Sequence, residues 1–285
     1  LRGPSPATTP FCVLSALRKK PLIFFILMDL ASQPDGLYHP NPIKRVLFKI
    51  AIFLLLVEET FASKLSRFVI PYNGEIERRL GVDPKKVVRM QDPHVSSKDI
   101  RFRSPRHLDR VQQIRVVRVA WLIPSKGIEY LIRAIAILRK KRIDVALTIV
   151  GDERRIGYRE SLEALVAELG VSDYVEFLGW VAHCDIYDCY FEADIHVLSS
   201  LSEGTPRCIL EGMSQGALTV ATRVGSVEEE LVDGETALII EPSDEYAIAS
   251  AILRLRNEPR LREKLSTGGF EYASMNTFEA SASKL

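Results

Sequence analysis

The chain has 285 residues, of which 47% are hydrophobic and 26% are charged, so it has room for one large domain or two ordinary ones. These proportions are those of a soluble globular protein. The formal net charge of +1 implies no acidic or basic partner, and we expect no nucleic-acid partner. The four cysteines form no C-x-x-C pair and no metal-ligand spacing. We therefore expect reduced thiols, a cytoplasmic protein and no bound metal.

The N-terminal part of the chain contains few predicted strands. In chain order we predict a loop over 1–20, a strand over 22–28, a loop over 32–42, a helix over 43–62, a strand over 67–70, a helix over 73–80 and a strand over 87–90. These strands are too few for a complete parallel-sheet domain. We therefore interpret residues 1–95 as part of a Rossmann-like domain and the polar segment 96–112 as a linker.

Two apolar segments in this part, 22–28 and 50–57, are shorter than the roughly 20 residues that cross a bilayer. We predict a buried strand and a core helix, respectively. Lys44, Arg45 and Lys49 precede the second segment, which leaves open weak peripheral contact with the inner face of a membrane.

From residue 113 onward, strands and helices alternate regularly. The predicted strands cover 114–121, 145–150, 174–178, 194–198, 218–221 and 237–240, and the predicted helices lie near 127–141, 158–169, 184–191, 205–216, 244–256 and beyond 259. Apolar strands that are separated by helices indicate a parallel sheet covered on both faces. The fold class is therefore α/β, with a doubly wound, Rossmann-like domain over 113–285.

The segment Ser199–Gly216 carries the clearest functional signal. An apolar strand runs into a small-residue loop that contains Glu203, and a helix with Glu211 follows. Thr205 is the predicted N-cap and Pro206 the predicted first helical residue. A helix N-terminus after a parallel strand suits a phosphate, and carboxylates on both sides suit hydroxyl groups. A nucleotide sugar combines these groups.

Other loops are expected at the same sheet edge, namely those with Lys126, with Gly151 and Asp152, with Gly179 to Val181, and with Thr222 to Ser226. Lys126 and Arg207 could each meet a phosphate or stay solvated. His183 and His196 are interpreted as solvated or structural. Ser226–Glu229 fits a capping box. The sequence has no P-loop, no G-x-G-x-x-G and no H-E-x-x-H motif.

Taken in order, these segments resemble the donor half of a retaining glycosyltransferase of family 4 with the GT-B fold. The matching pieces are Pro124–Ala134, Thr148–Asp152, Val175–Gly179, Ala193–Ser200, Glu203–Glu211, Val224–Glu229 and Asp233–Thr236. The resemblance extends over 65–278 and is firmest over 113–256. It implies that residues 1–95 are a truncated, acceptor-side N-terminal domain and that the chain is a piece of a longer protein.

The resemblance implies a role for each matched residue. Glu203 and Lys126 would be catalytic, with Glu203 on the transferred sugar and Lys126 on the diphosphate. Glu211 would bind the ribose hydroxyls. The other implied donor-binding residues are Gly204, Thr205, Pro206, Arg207, Gly151, Gly179, Trp180 and Val181. Such enzymes act through positioning and electrostatic stabilisation, and the resemblance implies neither a metal nor a cofactor.

Two positions depart from the family pattern. Ala120–Trp121 stands where the family has Gly-Arg, so one diphosphate-binding cation is missing unless Arg118 or Arg207 replaces it. Met28–Asp29 stands where a His-Asp pair is often found.

The resemblance thus implies a hexosyltransferase that uses a UDP- or GDP-sugar and a hydroxyl acceptor, such as a glycan, a lipid-linked sugar or a small molecule. Two alternatives remain open at this point. One is a non-catalytic nucleotide-sugar-binding subunit or inactive fragment, and the other is a sugar-nucleotide epimerase of the same architecture. The base, sugar, acceptor, linkage and oligomeric state are also open.

Overall fold

A computed structural model describes residues 2–3, 8–26, 42–71, 74–87, 94–105, 107–108 and 113–283. The chain divides into two compact units, Leu1–Gln91 and Asp92–Leu285. The segment predicted as a linker, 96–112, falls within the second of these units, and Arg101 contacts other parts of that unit. Its backbone N–H donates to the carbonyl of Ser214 at 2.8 Å, and its guanidinium lies 4.4 Å from the ring centre of Phe191.

The first unit contains a three-stranded parallel sheet in the order β1-β2-β3. Its elements are β1 (Arg2–Gly3), α1 (Thr8–Leu17), β2 (Ile23–Ile26), α2 (Pro42–Leu65), β3 (Phe68–Ile70) and α3 (Gly74–Leu80). Met28–Asp29, residues 32–41 and most of the strand predicted over 87–90 lie outside the described residues.

The predicted loop over 1–20 is wrong, because α1 and β1 both lie within it. Pro10 is compatible with α1 because it lies in the first turn of the helix. Backbone N–H groups in the first turn make no intrahelical hydrogen bond, so the N–H that proline lacks is not needed. Cys12 on the same helix is buried in the core of the unit, and this burial supplies the stability that helix propensity alone does not.

The second unit contains a six-stranded parallel sheet in the order β6-β5-β4-β7-β8-β9. The strands are β4 (Ile114–Val119), β5 (Val145–Val150), β6 (Val175–Gly179), β7 (Ile195–Leu198), β8 (Leu218–Thr222) and β9 (Leu238–Ile240). The helices are α4 (Ile128–Lys140), α5 (Tyr158–Glu168), α6 (His183–Glu192), α7 (Arg207–Ser214), α8 (Val227–Glu230), α9 (Glu245–Asn257), α10 (Pro259–Met275) and α11 (Phe278–Ala282). The predicted doubly wound parallel sheet is confirmed.

The apolar pattern of these strands and helices is explained by their burial in the core of the second unit. Every residue of β7 and of β8 is buried, as expected for central strands covered by helices on both faces. The apolar face of α4 packs onto the sheet through Leu131, Ile135 and Leu138, each contributing about 1.5–3 kcal/mol by burial. The strand order reverses between β4 and β7, and in such sheets ligands bind at this reversal.

Three details at helix ends differ from the predictions. α7 begins at Arg207, so Pro206 holds the N-cap position and Thr205 lies outside the helix. Ser226 makes no side-chain capping bond at α8, so the predicted capping box is not formed through that hydroxyl. The sequence also gave no prediction of α11, where the side chain of Thr277 accepts the N–H of Ala280 at 3.1 Å.

Candidate functional site

A cleft of about 400 Å³ lies at the carboxyl edge of the second unit's sheet. The loops after β4, β5, β6 and β7 form its walls, together with the first turns of α7. Its lining residues are Arg118, Val119, Ala120, Trp121, Lys126, Val150, Gly151, Asp152, Trp180, Val181, Ile186, Glu203, Thr205, Pro206, Arg207, Cys208 and Glu211. The cleft therefore occupies the reversal point of the strand order.

Most of the residues predicted for the site meet in this cleft. Gly179 and Gly204 are not among its lining residues, and both have backbone roles beside it. The carbonyl of Gly179 accepts the N–H of Gly151 at 2.8 Å, and the carbonyl of Gly204 accepts the N–H of Ser226 at 2.8 Å. The first bond joins the loop after β5 to the last residue of β6, and the second joins the loop after β7 to the loop after β8.

Lys126 and Glu203 form the central ion pair of the cleft. The Nζ atom of Lys126 lies 2.8 Å from each carboxylate oxygen of Glu203. The hydroxyl of Ser200 donates to Oε1 of the same carboxylate at 2.6 Å. The carboxylate is thereby fixed by residues from the loops after two adjacent strands, β4 and β7.

Gly127 explains how these two loops approach each other. Its φ of 56° is left-handed, and a Cβ atom at this position would lie 2.2 Å from the carbonyl oxygen of Ser199. Only glycine fits both requirements. The side-chain hydroxyl of Ser199 also donates to the carbonyl of Lys126 at 3.1 Å. Glycine at 127 thus lets Lys126 lie against Glu203.

Arg118 lies beneath this ion pair, and its side chain is 0% exposed. Its Nη2 atom donates to the Ser200 hydroxyl at 2.6 Å and lies 4.0 Å from Oε1 of Glu203. Its Nε atom has no hydrogen-bond partner among the described residues. From the sequence, Arg118 was named only as a candidate substitute for the missing diphosphate-binding cation.

Glu211 lies at the other end of the cleft, in the second turn of α7. The Nε2 atoms of His94 and His183 each lie 3.5 Å from its Oε1 atom, and the hydroxyl of Tyr190 donates to Oε2 at 3.3 Å. Burial lowers the pKa of His94, although the charge of Glu211 opposes this effect. Burial also raises the pKa of Tyr190 well above its ordinary value.

Sequence reasoning missed these neighbours of Glu211. His183 was interpreted as solvated or structural, and His94 precedes the polar segment taken as a linker. No periodic pattern connects either residue to α7, because their proximity depends on tertiary packing.

Trp121 and Trp180 provide aromatic surface at the cleft, with 40% and 69% of each residue exposed. The guanidinium of Arg154 lies 3.8 Å from the ring centre of Trp121, which is a cation–π contact. The contact brings the cation of Arg154, from the next loop, to the cleft position at which the resemblance implies an arginine.

Cys208 and His196 are two further groups in and beside the cleft whose charge is set by burial. Burial raises the pKa of the Cys208 thiol to about 12, and burial with the charge of Arg118 lowers the pKa of His196 to about 3. Cys208 is therefore a thiol and His196 a neutral ring near pH 7. No cluster of three or more His, Cys, Asp or Glu residues within the described ranges could hold a metal ion. The cleft can bind an anion that carries hydroxyl groups.

Comparison with known proteins gives consistent matches for this unit. The sequence model of the family described as "Glycosyl transferases group 1" matches residues 99–272, more than half of the chain. The chain is 35% identical over 156 residues to the lipopolysaccharide core biosynthesis glycosyltransferase LpsD of Rhizobium meliloti, covering 55% of this chain and 43% of that protein. It is 30% identical over 168 residues to the GDP-mannose-dependent alpha-(1-6)-phosphatidylinositol monomannoside mannosyltransferase of Mycolicibacterium smegmatis, covering 56% of this chain and 43% of that protein.

These matches span less than half the length of those two relatives. Among solved structures, Anabaena HepE in complex with UDP superimposes with a TM-score of 0.72 at 20% identity, covering 95% of this chain and 72% of that one. Sucrose-phosphate synthase from Thermosynechococcus elongatus gives 0.72 at 22% identity, covering 95% and 68%. At these identities the structures show the fold alone, and they confirm the predicted fold class.

Proposed function

The chain belongs to the glycosyl transferases of group 1 and has the GT-B type of α/β fold, and from this premise we propose that its second unit binds a nucleoside-diphosphate sugar. We propose that the protein is a retaining hexosyltransferase of family 4 that uses this donor and a hydroxyl acceptor. The observation that supports this proposal most directly is the Lys126–Glu203 ion pair in a cleft that is also lined by the N-terminus of α7 and, further along that helix, by Glu211.

Each part of the donor has a chemically matched partner in this proposal. Lys126 and the N–H groups at the start of α7 neutralise the diphosphate, because both present positive charge to the cleft. The carboxylate of Glu211 accepts hydrogen bonds from the ribose hydroxyls. The carboxylate of Glu203 accepts them from the transferred sugar and stabilises positive charge that develops at the reacting carbon.

The proposed transfer uses the chain's own cations in place of a metal. The bond between the sugar's reacting carbon and the diphosphate breaks as the acceptor oxygen bonds to that carbon, and the leaving diphosphate takes the acceptor's hydroxyl proton. The diphosphate stays paired with Lys126, so the charge that develops on it is compensated without further reorganisation. We propose that Trp180 and Val181 lie beside the base. HepE was solved with UDP and the mycobacterial relative is named as GDP-mannose-dependent, which favours UDP- or GDP-sugars as the donors to test.

Calorimetric titration with UDP, GDP, ADP, UDP-glucose and GDP-mannose tests the donor site. We expect micromolar binding of one nucleotide series, and we expect Glu211→Ala to weaken it at least tenfold through loss of charged hydrogen bonds. Glu271→Gln, an exposed change on α10, is the matched control and should bind as wild type. If none of the five compounds binds the wild-type protein, the proposed donor site is rejected. The same result would also count against binding of these nucleotide sugars by a non-catalytic subunit or an epimerase.

Release of nucleoside diphosphate from the bound donor, with and without EDTA, then tests transfer. Unchanged turnover in EDTA is expected, and loss of turnover that Mg²⁺ restores would contradict the metal-free chemistry. Glu203→Gln should abolish turnover and leave nucleotide binding within about threefold of wild type, because the residue is assigned to the sugar rather than to the nucleotide.

A second proposal concerns α2 and contact with an anionic membrane surface. Large apolar side chains along α2 are 41–69% exposed, and they are Ile43, Val46, Leu47, Ile50, Phe53, Leu54, Val57, Phe61 and Leu65. Lys44, Arg45 and Lys49 are exposed on the same helix. Apolar and basic side chains together suit the headgroup region of a bilayer. Of the described helices, none has the length and apolar content to cross a membrane.

Vesicle sedimentation tests this contact. Binding to phosphatidylglycerol vesicles is expected to exceed binding to phosphatidylcholine vesicles. The double change Ile50→Ser with Leu54→Ser should abolish it, whereas Ser97→Ala, in the second unit, should not alter it. Equal or absent binding to both kinds of vesicle would reject the contact.

A further inference from the structure

The buried guanidinium of Arg118 has no role in the proposed function as described so far. We propose that Arg118 is the counter-ion that holds Glu203 in place while Lys126 moves from that carboxylate to the donor's diphosphate. Arg118 is thus a positioning residue, because it acts through Ser200 and Glu203 rather than by touching the donor. This inference rests on the proposed function, and its test separates the two.

The need for a second cation follows from the geometry of Lys126. Its ammonium lies 2.8 Å from both oxygens of Glu203, so the ligand-free cleft uses it as the direct partner of that carboxylate. A diphosphate that enters the cleft draws the same ammonium toward its oxygens. Glu203 has a side chain that is only 12% exposed, and a largely buried carboxylate that loses its cation is strongly destabilised.

Arg118 is placed to offset that loss. Its Nη2 donates to the Ser200 hydroxyl at 2.6 Å, and the same hydroxyl donates to Oε1 of Glu203 at 2.6 Å. The direct separation of Nη2 and Oε1 is 4.0 Å. The positive charge of Arg118 and the hydrogen bond from Ser200 therefore both stabilise Oε1 of Glu203. Once Lys126 has moved, Oε2 can accept a hydrogen bond from a sugar hydroxyl.

The surroundings of Arg118 support the assignment of Glu203 as its partner. Cys208 is the neighbour of Nη1 at 3.8 Å, and burial raises the pKa of that thiol, so it carries no negative charge at neutral pH. Nε has no partner among the described residues. An arginine that is completely buried and only partly hydrogen-bonded is unfavourable for stability alone, so its position suggests a functional reason.

The test is a double-mutant cycle on donor binding, using whichever of UDP-glucose and GDP-mannose binds the wild-type protein. Arg118→Met is expected to weaken binding about tenfold, because Glu203 then retains Lys126. In the Glu203→Gln background, where no carboxylate needs a counter-ion, the same change should weaken binding less than about twofold. Arg115→Met is the matched control, since Arg115 lies on the same strand with a side chain that is 40% exposed.

Arg118→Lys keeps the charge and should recover at least half of the lost binding free energy, which a purely steric role would not produce. Ser200→Ala removes the bridging hydroxyl and should weaken binding about threefold, and it provides the test if Arg118→Met fails to fold. Equal losses in the two backgrounds, or wild-type binding by both Arg118→Met and Ser200→Ala, would overturn the inference and leave the donor site intact. Absence of donor binding by the wild type would instead reject the proposed function, and this inference with it.

Discussion

The Nε2 atom of His94 lies 3.5 Å from Oε1 of Glu211. This contact connects a segment that precedes β4 to the helix that carries the proposed ribose-binding carboxylate. The same Nε2 atom lies 3.2 Å from the carbonyl oxygen of Arg207, so a residue before β4 contacts α7 at both its first and its second turn. Burial keeps the pKa of His94 below its ordinary value, so the ring is neutral at pH 7 and can orient the carboxylate without neutralising it.

Replacement of His94 is therefore expected to affect binding rather than folding. His94→Ala should weaken nucleotide binding about threefold at pH 7.5, because Glu211 loses one polar neighbour and keeps Tyr190. His107→Ala, at an exposed histidine of the same unit, should bind as wild type. Calorimetry with the nucleotide that binds best gives the comparison, and unchanged affinity of His94→Ala would show that the contact has no orienting role.

His196 predicts a pH dependence of stability. Its pKa is about 3 in the folded protein and about 6.5 when unfolded, so the unfolded chain binds the extra proton between these values. The free energy of unfolding should therefore fall as the pH decreases from about 6.5 toward 3, by up to about 1.4 kcal/mol per pH unit.

His196→Leu removes this titration and should flatten that part of the profile. Urea unfolding followed by tryptophan fluorescence measures it for the second unit, which contains both tryptophans, Trp121 and Trp180. His107→Leu should keep the wild-type slope. A profile for His196→Leu as steep as that of the wild type would assign the acid sensitivity to other groups.

Gly127→Ala should reduce both stability and donor binding. The new Cβ would collide with the Ser199 carbonyl oxygen, so the two loops must separate and Lys126 must move away from Glu203. We expect a loss of about 2–4 kcal/mol in the free energy of unfolding and at least tenfold weaker donor binding. Gly170→Ala separates the causes, because Gly170 also has a positive φ of 68° and has no atom within 4 Å of the added Cβ. If the two variants lose the same stability, the close approach of the loops has no energetic effect.

Trp121→Arg tests the family's missing cation. A guanidinium at a cleft-lining position should strengthen binding of UDP or GDP about three- to tenfold at low ionic strength, and the gain should shrink as salt is added. Trp121→Phe keeps an aromatic ring for Arg154 and should leave the affinity near that of the wild type. Weaker binding by Trp121→Arg would instead identify the indole itself as a donor contact.

Features that depend on a local sequence pattern were predicted, and features that depend on tertiary packing were not. Strand 145–150 was predicted with the bounds that the structure shows, because an internal parallel strand is a nearly continuous apolar run, here with Thr148 as its one polar residue. Lys126 and Glu203 could be placed at one sheet edge, because parallel strands all point their carboxyl ends the same way. The direct ion pair between them depends on the backbone conformation at Gly127. A glycine in the sequence permits that conformation but does not show that the chain adopts it.

Other features depend on packing that no local pattern encodes. α1 was missed because Pro10 and the polar residues around it resemble a loop, whereas burial of Cys12 stabilises the helix. The complete burial of Arg118 could not be predicted from the sequence either, because Arg115 on the same strand is the same residue type and yet has a side chain that is 40% exposed.

The pairing of the central strand has a consequence for the order of assembly. Val116 of β4 pairs with Leu147 of β5 and with Ile195 of β7, so one neighbour is local and the other is distant in sequence. During synthesis β4 can pair with β5 early, but its opposite edge stays open until β7 has left the ribosome. The loops that hold Lys126 and Glu203 follow β4 and β7, so the cleft forms at the step that closes this open edge.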